Sequence, residues 1–320
     1  MTIGPKPDTA HPEDDHALDP LWERRLERER EREELMKHRA RKDMMHGTPL
    51  FPEFWLEKIL NLTGLRTCGE ANARDFQLGH VEFRFDNLPS AFDGFRILHL
   101  TDPHFRENDP ESTEKLCELI RPVEADFCAF TGDYRYAFTG PYEHVLESMQ
   151  RVMDTIDPVY GSVAVLGNHD IAAFVPPFRK MGLRVLINEH FPLDLDGERI
   201  WCAGVDDPHY YECADLSGAL AGVPREDFAI LFAHSPELAE IAPSYGIDFY
   251  LCGHTHCGQV CFPGGFAPII NARAPRKYCF RQWRNACTQG YTSPGLGTTE
   301  VAVRFFCPPE ATIITLKRTE

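Results

Sequence analysis

The chain has 320 residues, of which 43% are hydrophobic and 26% are charged, and this near-average composition excludes collagen-like, wholly disordered and integral membrane proteins. With 33 Lys and Arg against 49 Asp and Glu, its formal net charge is −16. Such an acidic chain is a poor general binder of nucleic acid, because phosphate contacts need a surplus of Lys and Arg. We therefore expect no nucleic-acid partner.

The first 48 residues are predicted to combine a disordered tail with a charged helix. Residues 1 to about 20 carry several Pro residues and scattered charge, which is typical of a disordered tail. From Trp22 to Lys42, Arg and Glu residues interleave at helical spacing. This pattern favours an isolated helix that is stabilised by pairs of its own side chains.

Residues 49–80 are predicted to form an amphipathic helix and a linker. The stretch Leu50–Leu65 is rich in Phe, Trp, Leu and Ile. Such a helix can pack on the main domain, or it can lie in a membrane interface. The sequence contains no apolar run of about 18 residues and no secretory signal pattern, so we expect a cytoplasmic protein. Peripheral contact with the inner membrane face is the alternative if the helix binds lipid.

Residues 81–320 show an α/β pattern, in which short apolar runs alternate with helical patterns. The predicted strands are Val81–Phe85, Phe95–Leu100, Phe127–Phe130, Ser162–Leu166, Arg184–Asn188, Ile200–Gly204, Phe228–Phe232, Asp248–Leu251 and Thr312–Leu316. The predicted helices are Ser112–Arg121, Tyr142–Ile156 and Pro236–Ala242. We therefore expect one α/β domain over this range.

Five of these strands are each followed within a few residues by Asp, Asn or His. The loops after them carry Asp102 and His104, Asp133, Asn168 and His169, His234, and His254 and His256. In open α/β sheets, ligands collect outside the carboxyl ends of the strands, so these five loops are expected to meet at one place.

The residue types in these loops predict a metal site. Their side chains offer nitrogen and oxygen ligands, a mixed set that suits Mn, Fe, Zn, Co or Ni without choosing among them. Seven such ligands are too many for one ion, but two divalent ions that share a carboxylate would use them all.

With these five motifs in this order, the sequence resembles the calcineurin-like metallophosphoesterase superfamily, whose signature is DxH, GD, GNH(D/E), a later His and GHxH. The resemblance implies a four-layer α/β (mixed α+β) sandwich, in which two mixed β-sheets are flanked by helices. It also implies a hydrolase in which a water or hydroxide between two metal ions attacks phosphorus.

The resemblance assigns a role to each of these residues. Asp102, His104 and His256 would hold one ion, Asn168, His234 and His254 would hold the other, and Asp133 would bridge them. His169 would donate a proton to the leaving oxygen or stabilise its charge. Some phosphatases of the superfamily orient this His with an acidic residue three positions after the bridging Asp. That position is Tyr136 here, so the sequence does not identify the orienting partner.

Further stretches, such as Gly290–Gly297 and Arg304–Glu310, resemble a bacterial branch of the superfamily. This branch includes YkuE-like phosphoesterases and hydrolases of UDP-2,3-diacylglucosamine. The resemblance therefore implies cleavage of a phosphodiester or pyrophosphate bond in a small phosphate-bearing or lipid-linked substrate. The alternatives are a cyclic-nucleotide or general phosphodiesterase, and a non-catalytic membrane-associated scaffold.

A basic stretch beside the GHTH motif is a candidate substrate wall. No Asp or Glu occurs from Phe249 through Thr299, whereas Arg276 and Arg281 lie there among aromatic residues. Arg side chains can pair with phosphate oxygens, although an ordinary solvated hairpin would show the same pattern. We also consider Arg135, Asp207 and His209 as substrate-side residues, because each lies close to a predicted strand end.

Overall fold

The computed structural model describes the backbone of residues 20–46 and 52–319 and the side chains of residues 20–38 and 57–319. The predicted N-terminal tail therefore lies outside the described residues, apart from its last position. Seven α-helices lie in the described ranges: α1 (Pro20–His46), α2 (Pro52–Thr63), α3 (Leu65–Asn72), α4 (Pro110–Ile120), α5 (Glu143–Thr155), α6 (Val175–Lys180) and α7 (Leu216–Ala219).

The first of two six-stranded sheets has the strand order β1-β12-β2-β3-β4-β5. Its strands are β1 (Gln77–Phe85), β2 (Arg96–Leu100), β3 (Phe127–Phe130), β4 (Ser162–Ala164), β5 (Leu183–Val185) and β12 (Glu310–Arg318). Strands β2 to β5 are parallel, so their carboxyl ends lie at one edge of the sheet, whereas β12 runs antiparallel to β2. The sheet is therefore mixed.

The second sheet has the strand order β10-β11-β9-β8-β7-β6. Its strands are β6 (Glu189–Leu195), β7 (Glu198–Gly204), β8 (Ala229–Phe232), β9 (Phe249–Cys252), β10 (Arg281–Asn285) and β11 (Thr288–Thr292). Strands β7, β8, β9 and β11 are parallel, and an antiparallel hairpin closes each end of the sheet. In the β6–β7 hairpin, Asp196 and Gly197 both have positive φ, as a two-residue type I′ turn requires.

Buried apolar residues fill the space between the sheets and cover both outer faces. The core between the sheets is rich in Phe, and the Phe85 ring meets those of Phe228 and Phe249 at centroid distances of 4.9 and 5.5 Å. Residues of α4, α5 and α6 pack on the outer face of the first sheet. Short helices and loops cover the outer face of the second sheet. The predicted sandwich of two mixed sheets flanked by helices is confirmed.

All nine predicted strands are present, β3 with the predicted ends and the other eight with shifted ends, whereas three strands were missed and one helix was predicted wrongly. The sequence pattern missed β6, β10 and β11, which are the three strands of the edge hairpins that its apolar runs do not mark. The predicted α-helix Pro236–Ala242 is instead two short 3₁₀ turns, Pro236–Leu238 and Ala242–Tyr245. Pro243 lacks a backbone N–H and disfavours α geometry at the residue before it, so a continuous helix cannot form there.

The two N-terminal segments both differ from expectation. Helix α1 is not isolated, because Arg25 and Arg32 are buried against the main domain. The predicted helix Leu50–Leu65 ends at Thr63, and Gly64 in the left-handed conformation separates α2 from α3. Leu60 of α2 packs on the main domain, as one of the two interpretations predicted. Within the described ranges, no helix is both long and apolar enough to span a bilayer.

Candidate metal centre

The loops after β2, β3, β4, β8 and β9 bring all seven predicted ligands to adjoining edges of the two sheets. Five of them, Asp102, His104, Asp133, His254 and His256, have positive φ values between 45° and 69°. Residues other than Gly rarely adopt this conformation, and such strain concentrates at functional sites. The loops therefore hold these side chains in a specific arrangement at some cost in backbone energy.

Asp102, His104 and His256 form the first group of converging donor atoms. The Nε2 atoms of His104 and His256 are 3.2 Å apart, and Asp102 Oδ1 is 3.5 Å from His256 Nε2 and 3.9 Å from His104 Nε2. These side chains are at most 5% exposed. One ion could bind to all three donors.

His234, His254 and Asn168 form the second group. His234 Nε2 lies 3.1 Å from His254 Nδ1 and 3.0 Å from Asn168 Oδ1. Asp133 lies between the groups, with its Oδ2 atom 3.2 Å from His234 Nε2 and 3.6 Å from His104 Nε2. The same carboxylate oxygen thus faces histidines of both groups.

The donor chemistry fits divalent cations at both positions. In each group, two imidazole nitrogens face each other at hydrogen-bond distance: those of His104 and His256 in the first, and those of His234 and His254 in the second. Nitrogen lone pairs at this distance need a shared proton or a cation between them. Nitrogen and oxygen donors in this mixture suit first-row transition metals.

The electrostatics of the centre also favour bound cations. Burial and neighbouring histidines lower the pKa of His104 to about 3 and also lower the pKa of His254 and His256, so these rings are neutral, as metal ligands must be. Burial alone would lower the pKa of His234, but the Asp133 and Asp102 carboxylates raise it overall. The second group therefore attracts positive charge.

Two glycines permit the close approach of the metal-binding loops. A Cβ on Gly253 would lie 2.1 Å from Asp102 Oδ2, and one on Gly167 would lie 2.3 Å from Asp133 Oδ1. Real Cβ atoms do not make such contacts, so any larger residue would displace a predicted ligand. The Gly in GHTH and the Gly in GNHD are therefore packing requirements of the site.

His169 is oriented by a backbone carbonyl, which the sequence motif does not reveal. Its Nδ1 atom lies 2.8 Å from the carbonyl oxygen of Tyr136, and the ring of Phe138 lies 3.9 Å from its own ring. Nδ1 therefore donates to the carbonyl and Nε2 faces Asp133 Oδ2 at 3.9 Å. Tyr136 occupies the position where an acidic residue was missing, but it acts through its main chain.

Two residues that the sequence analysis did not select hold the site together. The Asp170 carboxylate accepts hydrogen bonds from the backbone N–H groups of Asp133, Tyr134 and Gly167, at 2.7 to 2.8 Å. Arg304 is fully buried, contacts His256 Nδ1 at 3.2 Å and donates to several loop carbonyls. Asp170 is the last residue of the GNHD motif and Arg304 begins the stretch Arg304–Glu310 that resembles the bacterial branch, so both had a signal in the sequence.

The predicted substrate-side residues fall into two groups. His209 lies beside the centre, since its ring is 4.0 Å from that of His254 and its Nδ1 is 2.7 Å from Glu237 Oε1. These three residues form a further cluster of donor atoms. Asp207 instead accepts hydrogen bonds from the backbone N–H groups of three residues after it, which is a loop-capping role.

The three predicted arginines already have protein partners. Arg135 is buried, donates to the Phe138 carbonyl and contacts His104 Nδ1 through its own carbonyl. Arg281 pairs with Glu310 at 2.8 Å. Arg276 donates to the Ala267 carbonyl and lies over two Phe rings. Arg276 and Arg281 are nevertheless exposed, and part of the basic stretch is the β10–β11 hairpin.

Comparison with known proteins agrees with this geometry. The family profile for calcineurin-like phosphoesterases matches residues 95–258, a range that includes all seven predicted ligands. The chain belongs to the calcineurin-like phosphoesterase family. It is therefore a hydrolase that acts on phosphoric ester bonds, and its family uses divalent metal ions.

Three relatives share most of their length with this chain. It is 30% identical over 241 residues to the metallophosphoesterase YkuE of Bacillus subtilis. The matched region covers 72% of this chain and 82% of YkuE. It is 27% identical to YkoQ of the same organism, over 75% of this chain and 90% of YkoQ. It is 26% identical to the phosphodiesterase YaeI of Escherichia coli, over 69% of this chain and 82% of YaeI.

Proposed function

We propose that this phosphoesterase uses two divalent ions and the seven ligands described above. The observation that carries the proposal is the position of Asp133 Oδ2, within 3.2 to 3.6 Å of a histidine in each group. Two bound cations would lower the pKa of a water molecule and withdraw charge from the phosphoryl oxygens. Asp102, His104 and His256 would hold one cation, and Asn168, His234 and His254 the other.

His169 is proposed to act on the leaving group. Its Nδ1 is committed to the Tyr136 carbonyl, so Nε2 is the atom that can transfer a proton. The ring is not needed for either donor group, and its side chain is only 8% exposed at the border of the site. A histidine in this place can protonate an alkoxide as the phosphorus–oxygen bond breaks.

A cleft of about 620 Å³ opens beside His104 and can receive the rest of the substrate. Its lining combines apolar side chains, such as Phe76 and Leu296, with two arginines and three acidic residues: Arg74, Arg106, Glu70, Glu107 and Asp109. Arg74 pairs with Asp109 at 3.2 Å. Volumes of this size hold ligands as large as a nucleotide or a lipid headgroup. The apolar side chains favour a substrate that carries an apolar part beside the phosphoester bound at the metal centre.

The preferred substrate class is therefore a phosphodiester or pyrophosphate in a lipid-linked nucleotide sugar such as UDP-2,3-diacylglucosamine. The second candidate is a general or cyclic-nucleotide phosphodiesterase, which the name of the relative YaeI favours. Both use the same centre, and they differ in what the cleft beside His104 must bind.

Turnover by the purified protein in the presence of Mn²⁺ is expected for bis-p-nitrophenyl phosphate and, with a higher kcat/KM, for UDP-2,3-diacylglucosamine. Removal of metal by a chelator should abolish both activities, and added Mn²⁺ should restore them. A higher kcat/KM for cyclic AMP than for the lipid substrate would favour the second candidate. A protein that binds metal and hydrolyses no phosphoester would contradict the proposal.

We further propose that an apolar rim touches the membrane surface. The rim comprises seven exposed side chains, each at least 48% accessible: Ile59, Leu62, Leu65, Phe262, Phe266, Ile269 and Phe306. Their segments are neighbours, because Leu60 packs with Val301 and Val303, and Val260 pairs with Phe305. Exposed apolar groups on adjacent segments are typical of a lipid or protein contact.

The charge beside the rim favours a lipid surface. Arg276 lies 4.7 Å from the Phe266 ring, and the surrounding sequence from Phe249 to Thr299 contains no acidic residue. Basic and aromatic side chains together bind the anionic surface of the cytoplasmic leaflet. The rim would therefore place this face of the enzyme where an amphiphilic substrate resides.

Changing Phe262 and Phe266 to Ser is expected to reduce binding to vesicles that contain a quarter phosphatidylglycerol by about tenfold or more, because two exposed aromatic rings that would insert into the lipid are lost. Sedimentation of protein with the vesicles measures the bound fraction. The control changes Val159 and Ile241 to Ser, since both are apolar, are 46% exposed and lie outside the rim. Equal losses for both variants would contradict the rim, and so would wild-type protein that does not sediment.

A further inference from the structure

Two arginines of α1 share one face of the helix and point into the main domain. Arg25 and Arg32 are seven residues apart, which is close to two helical turns. Their exposed fractions are 0% and 5%, although α1 is otherwise one of the most polar segments of the chain. Buried arginines need partners, and those partners lie in and around the metal centre.

Arg25 anchors α1 to the main domain. Its Nη1 is 2.5 Å from Asp206 Oδ1, its Nη2 donates to the Asp170 carbonyl at 2.7 Å, and its guanidinium carbon lies 3.8 Å from the Tyr211 ring. Burial alone would lower the pKa of this group, but the Asp206 and Glu29 carboxylates raise it overall. The guanidinium is therefore a permanently charged anchor.

Glu29, between the two arginines, adds a contact of its own. Its Oε1 accepts a hydrogen bond from Arg25 Nε at 2.7 Å and another from the backbone N–H of Ala172 at 2.9 Å. Ala172 follows the GNHD motif by two residues. The helix thus binds both the motif and the segment immediately after it.

Arg32 reaches the metal-binding motif itself. Its Nη1 donates to the backbone carbonyl of Asn168, and its guanidinium lies 3.9 Å from the Phe138 ring and 4.0 Å from the Tyr210 ring. The Phe138 ring in turn packs against His169. Among the described residues, no carboxylate pairs with Arg32, so its strong contacts are the carbonyl and the aromatic rings.

The GNHD loop is therefore held from two sides. On one side, the Asp170 carboxylate binds backbone N–H groups of the loop and of its neighbour. On the other side, Arg25 and Arg32 donate to three loop carbonyls, those of Gly167, Asn168 and Asp170. The loop carries one predicted ligand, Asn168, and the predicted proton donor, His169.

We propose that Arg25 and Arg32 are positioning residues, through which α1 holds the Gly167–Asp170 loop in the geometry that metal binding and catalysis need. The inference rests on the proposed role of Asn168 as a ligand. Contacts behind metal ligands typically change metal affinity by about 10- to 100-fold when they are lost. Helix α1 is therefore a structural part of the active centre, because it positions the loop that carries Asn168 and His169.

The sharpest test is Arg32→Met, which keeps the aliphatic stem and removes the donors. We expect the dissociation constant of one Mn²⁺ ion, measured by calorimetric titration, to rise by about 10- to 100-fold and that of the other to stay within about threefold. Arg32→Lys keeps one donor and should recover part of the loss. Arg30→Met is the matched control, because Arg30 is exposed on the same helix.

Hydrogen exchange separates this inference from the two-metal proposal. In Arg32→Met, the amides of residues 167–170 should exchange at least about tenfold faster than in the control, while those of the central strands stay protected. Unchanged exchange and unchanged Mn²⁺ affinity would overturn the positioning role. Wild-type protein that binds one ion would contradict the two-metal proposal, and the exchange result would still decide the role of Arg32. Arg25→Met should show the same loop effect more strongly, because it also releases the anchor.

Discussion

Replacement of Asp133 by Asn is expected to lower kcat/KM by at least about 10³-fold and to weaken the binding of both metal ions. Its Oδ2 faces His234 and His104, so one side chain serves both donor groups. A neutral amide cannot bridge two cations as a carboxylate does. Loss of metal assistance removes several kcal/mol of transition-state stabilisation, and about 1.4 kcal/mol corresponds to a factor of ten.

Asn is chosen because it should leave the fold of the loop unchanged, so that the measurement reports the loss of the carboxylate. Asp133 has a φ of 57°, which Asn tolerates better than Ala does, and its Oδ1 contact with the His169 N–H can be kept by the amide oxygen. Metal content per chain and kcat/KM would be measured together, with Asp86→Asn at an exposed turn as the control. A variant that retains two ions and full activity would show that Asp133 does not bridge them.

The sequence predicted that the seven candidate ligands would lie together, because each follows a strand end within a few residues. Parallel strands end at the same edge of a sheet, so short motifs at five strand ends needed no knowledge of long-range packing to be placed together. The two-sheet architecture followed from the family resemblance. The predictions that failed concern elements that depend on tertiary context. Strands β10 and β11 form a hairpin of mostly polar residues at the end of the sheet, and the segment after Pro236 carries a second Pro that breaks the helix.

The contacts that organise the site were harder to predict, for physical reasons. The docking of α1 uses Arg25 and Arg32 together with an apolar contact of Trp22, and not an apolar stripe, so hydrophobic periodicity gives little sign of it. The orientation of His169 uses a main-chain carbonyl, which every residue type possesses. Arg281 resembles a phosphate ligand by type, but a buried Glu310 on the last strand pairs with it. Partners so distant in sequence are decided by the fold.

Replacement of His169 by Asn is expected to lower kcat by about 10²- to 10⁴-fold for substrates with an alkoxide leaving group, which is the usual contribution of a general acid. The Asn amide can still donate to the Tyr136 carbonyl, so the change removes Nε2 and little else. Metal content should be unchanged, because His169 is not among the seven ligands. For p-nitrophenyl esters the loss should be far smaller, since p-nitrophenolate leaves without a proton.

The pH profile supplies the second arm of this experiment. Burial lowers the pKa of His169 to about 4, and the negative charge of a bound phosphoester raises it again in the complex. If protonated His169 is the acid, wild-type kcat for an alkyl substrate falls as the pH rises through that higher pKa, and the variant lacks this descending limb. Tyr136→Phe is the control, because the main-chain carbonyl remains in place. An unaltered limb in the His169 variant, or equal losses for alkyl and aryl substrates, would assign the proton to another group and leave His169 a role in stabilising the charge of the leaving oxygen.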